Sequence, residues 1–115
     1  MQLSTSEDRS LFPGALEMMV LQTLRRQPLH GYALAQTIKQ NSNSLLEVEE
    51  GSLYPALQRM LKSGWVSADW GISARNRKVR IYKITPAGRK QLDRKVSSFQ
   101  QMLEGIARAM KAVQP

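Results

Sequence analysis

Seven apolar residues close to the C-terminus, Leu92, Val96, Phe99, Leu103, Ile106, Met110 and Val113, follow one another at intervals of 4, 3, 4, 3, 4 and 3. Steps of three and four return to one helix face, so this rhythm describes a continuous helix with a coiled-coil-like seam. Thr85-Pro86 supplies its start: a hydroxyl N-cap, then a proline at the first helical position, where the missing amide has no intrahelical partner to lose. Such a rod reaches roughly 35 Å at about 1.5 Å per residue, too long for so small a body to cover. The seam therefore calls for a second copy of the chain. Leu92, Val96, Phe99, Leu103, Ile106 and Met110 are expected at a homodimer interface. The competing use of the same stripe is contact with the chain's own first helix, and the two uses are compatible. Gly105, in mid-helix, costs about 1 kcal/mol against alanine and suits a close approach or a bend.

Upstream of the rod the apolar period changes twice. Leu16, Met19, Val20 and Leu24 recur at helical spacing between Gly14 and Arg26, and Gln27-Pro28 stops them. A second helix of about ten residues, from Gly31 to Gln40, carries Leu34, Ala35 and Ile38 and ends at Asn41-Ser42-Asn43-Ser44. Ser52 reads as the N-cap of a third helix, with Pro55 tolerated in the first turn and Leu53, Leu57, Met60 and Leu61 as its buried stripe. Ser63-Gly64 should close it, with glycine in the left-handed region and Trp65 folding back. A strand from Trp65 to Trp70, a polar loop from Gly71 to Lys78 and a strand from Val79 to Ile84 then make a β-hairpin. Which face of the second strand points inward is not decided by its alternation.

The expected fold is mainly α with a two-stranded β wing: a winged helix-turn-helix over residues 11–85 and a long dimerising helix over 86–113. One small domain is what 115 residues with 42% hydrophobic content allow. A formal charge of +8 favours polyanions such as nucleic acid or an acidic membrane surface. The absence of cysteine removes disulfides and thiolate metal sites and suits a reducing cytoplasm. Met1 to Ser10 does not resemble a signal peptide, and no apolar run approaches a membrane span, so a cytoplasmic chain without membrane partners is expected.

Function has to be read from the faces left outside. Burying Leu53, Leu57, Met60 and Leu61 leaves Ser52, Tyr54, Pro55, Gln58, Arg59 and Lys62 outward on the third helix, a set suited to a DNA major groove. Gln58 suits paired hydrogen bonds to adenine N6 and N7, Pro55 suits apolar contact with a thymine methyl, and Ser52 and Tyr54 suit a hydrogen bond to phosphate or a base edge near the helix N-terminus. Between Gly71 and Ile84 stand Arg75, Arg77, Lys78, Arg80 and Lys83 with no acid among them. Cations so placed release condensed counterions when they neutralise phosphate, and an arginine at the tip suits a narrow minor groove. A dimer would set two recognition helices about one DNA turn, roughly 34 Å, apart on a pseudo-palindromic operator. A basic module that docks an acidic protein, and a nonspecific nucleic-acid binder, are the competing readings.

Enzyme chemistry lacks its parts. His30 is the single histidine, so neither a metal set nor a catalytic constellation forms around it, and no metal or cofactor is expected. Glu47, Glu49 and Glu50 precede a helix N-terminus, where carboxylates are favoured on electrostatic grounds alone. There is no phosphate-binding glycine loop, and the six methionines suit core filling. The chain is expected not to be an enzyme.

Three segments taken in order, Pro28-Leu29-His30-Gly31-Tyr32, Glu50-Gly51-Ser52-Leu53-Tyr54-Pro55-Ala56-Leu57 and Tyr82-Lys83-Ile84-Thr85-Pro86-Ala87-Gly88-Arg89, resemble the PadR family of transcription regulators. The resemblance covers about residues 11 to 110, and its middle segment is the most specific. It implies a winged helix, a homodimer built by the C-terminal helix, and repression of transcription relieved by a small molecule or stress. The single short C-terminal helix resembles the smaller subfamily, often encoded beside membrane-transport genes. By position, Ser52, Tyr54 and Pro55 fall on the recognition helix and Arg75 to Arg80 on the wing. Relatives that stack flat drugs at the dimer interface use a tryptophan on the C-terminal helix. Here that helix has only Phe99, while Trp65 and Trp70 lie in the first wing strand, so the resemblance names no inducer.

Overall fold

The computed structural model describes residues 3–4 and 14–112. Val113 of the seam and residues 11–13 of the expected first domain lie outside the described residues. In chain order the elements are β1 (Leu3–Ser4), α1 (Ala15–Arg26), β2 (Leu29–His30), α2 (Gly31–Asn41), β3 (Leu46–Glu47), α3 (Glu50–Lys62), β4 (Val66–Ile72), β5 (Lys78–Ile84) and α4 (Pro86–Ala112). Three helices, a hairpin and a long last helix make the winged architecture expected from the sequence.

Local chemistry explains the element ends. Helix α3 closes in a Schellman motif: Gly64 takes φ +78°, its amide donates to the Leu61 carbonyl at 3.1 Å, and the Trp65 amide donates to Met60 at 2.9 Å. Helix α2 ends in the same way, with Asn43 at φ 53° and the Ser44 amide reaching the Lys39 carbonyl at 2.8 Å. At the other pole, Thr85 caps α4: its hydroxyl accepts from the Gly88 amide at 3.0 Å and donates to the Gly64 carbonyl at 2.6 Å. One threonine thus ties the start of α4 to the end of α3.

The core joins Leu16, Val20, Leu21 and Leu24 of α1 to Leu34 and Ile38 of α2, Leu53, Ala56, Leu57 and Met60 of α3, and Val66, Tyr82 and Ile84 of the hairpin. Leu92 belongs to it as well. It is 1% exposed, and Val96 packs against the same cluster, so α4 leans on α1 over its first half. This corrects the assignment of Leu92 to a dimer interface, because the chain's own interior consumes the first position of the seam. Packing therefore continues across residue 86. Beyond Phe99 the helix leaves the body, which accounts for the 59 Å long axis against 31 and 21 Å for the others. Leu103 and Ile106, each 45% exposed, and Met110 at 56% form an exposed apolar stripe, with Leu103 still bordering a groove shared with Met19 and Ile38.

Three short strands were not expected. β2 pairs antiparallel with β5, Leu29 opposite Tyr82 and His30 opposite Ile81, making a three-stranded sheet in the order β2-β5-β4. β3 pairs in parallel with β1, Leu3 opposite Leu46 and Ser4 opposite Glu47. Two-residue strands carry no period of their own, so only a distant partner reveals them. The hairpin strands are also longer than expected, reaching Ile72 and starting at Lys78. Among the described residues, no helix is long and apolar enough to cross a membrane, and no group of three His, Cys, Asp or Glu side chains is placed to hold a metal.

Candidate nucleic-acid interface

Helix α3 starts two residues earlier than Ser52, with Glu49 in the N-cap position, and this rotates the reading of its first turn. Ser52 is 8% exposed and lies on the flank of the buried arc with Ala56 and Met60. Its expected roles as N-cap and as an outward contact are therefore both corrected. At 100° per residue Ser52 falls one turn before Ala56, on the core side, and the serine is small enough to be tolerated there. Tyr54, Pro55, Gln58 and Lys62 do point outward, joined by Gly51, beside which an added Cβ would meet nothing within 4 Å. Arg59 is exposed but engaged, its Nη2 donating to Glu17 Oε1 of α1 at 2.8 Å. Standing at the edge of the buried arc, it braces α3 against α1.

That brace has an acid-side signature. Burial pushes the Glu17 carboxyl up, but the hydrogen bond from Arg59, a bond to its own backbone and the charges of Arg59 and Lys95 together hold it below its ordinary value. A carboxylate depressed in the folded state contributes stability that is present above its unfolded pKa and lost as pH falls through the folded one. Glu17→Gln is expected to lower urea-denaturation stability at neutral pH, with the deficit shrinking as acid protonates the native carboxyl. A deficit that stays constant into acid would show that the charge of Glu17 contributes nothing.

The wing's alternation is settled by its register. Trp70 faces Arg80 and Ile72 faces Lys78, on the same sheet face as the buried pairs Val66–Ile84 and Ala68–Tyr82. Followed outward along that face, the side chains pass from core to solvent: Tyr82 is buried, then Arg80, Trp70, Lys78 and Ile72 are exposed. The tip is a three-residue turn with Asn76 at φ 59°, the Asn76 amide on the Ser73 carbonyl at 2.9 Å and the Ser73 amide on the Arg77 carbonyl at 2.8 Å. Arg75 and Arg77 are carried there exposed to solvent. Among the described residues, none of Arg75, Arg77, Lys78, Arg80 and Lys83 is in an ion pair.

The β2–β5 pairing sets the N-terminus of α2 beside the wing. A recess of about 320 Å³ results, lined by His30 and Tyr32 from α2 and its entry strand, Tyr54 from α3, and Trp70, Lys78 and Arg80 from the wing. Tyr54 leans directly on Gly31, where an added Cβ would stand 2.8 Å from its hydroxyl, so glycine is needed for that approach. Burial, then the charges near Glu50 and Tyr82, raise the pKa of the Tyr54 hydroxyl and keep it a neutral donor. The sequence pointed to Tyr54, Lys78 and Arg80 but not to His30, Tyr32 or Trp70. The signal available for these three was aromatic or imidazole character next to a glycine turn or a basic run, which has meaning only once β2 and β5 are paired.

Comparison with known proteins agrees with this architecture. A transcriptional regulator from Clostridium thermocellum superposes with a TM-score of 0.78 at 23% identity, covering 86% of this chain and 96% of that one. A PadR-like transcriptional regulator from Bacillus cereus superposes at 0.73 with 26% identity, covering 88% of this chain and 96% of its own. In sequence, an uncharacterized protein of Lysinibacillus sphaericus is 26% identical over 101 residues, 88% of this chain and 93% of that protein. The model of the PadR-like transcriptional regulator family matches residues 20–94, from within α1 to within α4, more than half of the chain. With that match and the winged fold in agreement, the chain belongs to the PadR-like family of transcriptional regulators.

Proposed function

We propose that the chain is a cytoplasmic repressor that binds a pseudo-palindromic operator as a homodimer. The observation that carries this reading is the juxtaposition of an outward α3 face, Tyr54, Pro55, Gln58 and Lys62, with a wing whose five cations have no carboxylate partner among the described residues. The helix face offers base-edge chemistry and the wing offers phosphate neutralisation, the two halves of specific DNA recognition. Residues 11–85 would read DNA, and residues 86–113 would pair two copies through the stripe of Phe99, Leu103, Ile106 and Met110. A small-molecule inducer would act by changing the spacing of the two halves.

The experiment is selection of duplex fragments from the source genome, followed by binding of the selected fragment and of a random duplex at several salt concentrations. Specific recognition predicts at least about a 10³-fold preference for the selected fragment, which should carry two half-sites about ten base pairs apart. Equal affinity for both duplexes would favour a nonspecific binder. No duplex binding at all would favour the docking of an acidic protein.

A further inference from the structure

We propose that Trp70 is a positioning residue whose indole holds Lys78 and Arg80 in place to seat one DNA backbone phosphate in the recess between the wing and the N-terminus of α2. This inference rests on the DNA-binding reading and adds to it a residue, a location and a division of labour. Trp70 is 65% exposed, an unusual condition for an indole that no core contact requires. The Lys78 ammonium stands 4.7 Å from its ring centroid and the Arg80 guanidinium 5.9 Å, both within cation–π range. The strand register dictates this grouping, because Trp70 is directly opposite Arg80 and diagonal to Lys78 on one sheet face.

Two neighbouring cations on long, flexible stems repel each other and sample many rotamers when no anion is present. A π face shared between them offsets both tendencies without cancelling either charge, as a carboxylate would. The charge stays available to an incoming anion. No carboxylate lines the recess, and Glu50 acts on Tyr54 only from outside it. His30, Tyr32 and Tyr54 also line the recess, and their imidazole and hydroxyl groups add further donors. A site that combines two fixed cations with hydroxyl donors, opens beside the recognition helix and excludes acids matches a backbone phosphate of the duplex that α3 reads. Arg75 and Arg77 at the wing tip lie apart from this recess and make their contacts independently of it.

The test uses the full chain and a duplex selected by the unmodified protein, with three variants: Trp70→Phe, which keeps a π face, Trp70→Leu, which keeps apolar bulk without one, and Lys78→Ala with Arg80→Ala. Substitution at so exposed a position leaves the fold intact, which melting curves verify. The expected result is about a fivefold loss of affinity for Trp70→Leu, a salt slope reduced by about one unit, and much smaller changes for Trp70→Phe. Adding Trp70→Leu to the double alanine variant should change nothing more, since its targets are gone. Wild-type affinity and slope in Trp70→Leu would overturn the inference while leaving DNA binding in place. Losses that simply multiply between Trp70→Leu and the alanine pair would overturn it too, by giving the indole a contact of its own. If the unmodified chain bound no duplex, the DNA-binding reading itself would fall first.

Discussion

Gly88→Ala is expected to lower the thermal midpoint by about 10 °C, although alanine is the better helix former by about 1 kcal/mol. Gly88 lies in the first turn of α4, and a Cβ built there runs into the Trp65 carbonyl oxygen and stands 2.9 Å from Ile84 Cγ1. The carbonyl cannot retreat freely, because it accepts the Thr85 amide at 3.0 Å, and Thr85 in turn caps α4 and bonds Gly64. Relieving the clash means lifting the start of α4 from the hairpin root and uncovering Leu92. Overpacking against backbone costs about 3 kcal/mol or more, and a domain of this size loses about 4–8 °C per kcal/mol. Gly105→Ala is the matched control, since an added Cβ there meets nothing within 4 Å, and it should hold or raise the midpoint. Melts must be compared at one protein concentration, because the proposed dimer would contribute by mass action. An unchanged midpoint in Gly88→Ala would mean that α4 does not dock on Trp65 in this way.

Leu103→Asp combined with Ile106→Asp is expected to convert a dimer into a folded monomer in sedimentation and to lower operator affinity by about 10²-fold or more. Both residues are 45% exposed, so the charges cost the isolated subunit far less than they cost a paired seam that has to bury them. Leu92 and Val96 are unsuitable for this purpose: Leu92 is buried in the subunit's own core and Val96 packs partly buried against it, so charging them would disturb the fold as well as a seam. The affinity loss follows from linkage of two half-site contacts. In a dimer the second wing and helix bind at high effective concentration, and a monomer loses that advantage. A dimer that survives both aspartates would move the interface away from the distal half of α4.

The particular elements show why some of this was legible in the sequence. Helix ends were readable because they depend on nearest neighbours: Ser63-Gly64 needs only a left-handed glycine, and Thr85-Pro86 only a hydroxyl and a ring. The apolar stripes of α1 to α4 were readable because helical period is a local property. Ser52 was misplaced for a related reason. A serine before an apolar run is a generic cap signal, and nothing nearby in the sequence reveals that Glu50-Gly51 has already entered the helix. Arg59 looked like one more outward cation because its partner Glu17 is 42 residues away.

By itself, the sequence determined the order of the four helices and the hairpin, the basic wing, the family resemblance and the periodic stripe of the last helix, all of which follow from residue type and short-range spacing. Tertiary structure alone decided which part of that stripe is free, since burial of Leu92 depends on α1 meeting α4. It also decided the inward face of the wing and the recess beside it, because these exist only when Leu29 and His30 pair with Tyr82 and Ile81, more than fifty residues away. Contacts between distant segments depend on the closure of the whole chain, and no local pattern encodes them.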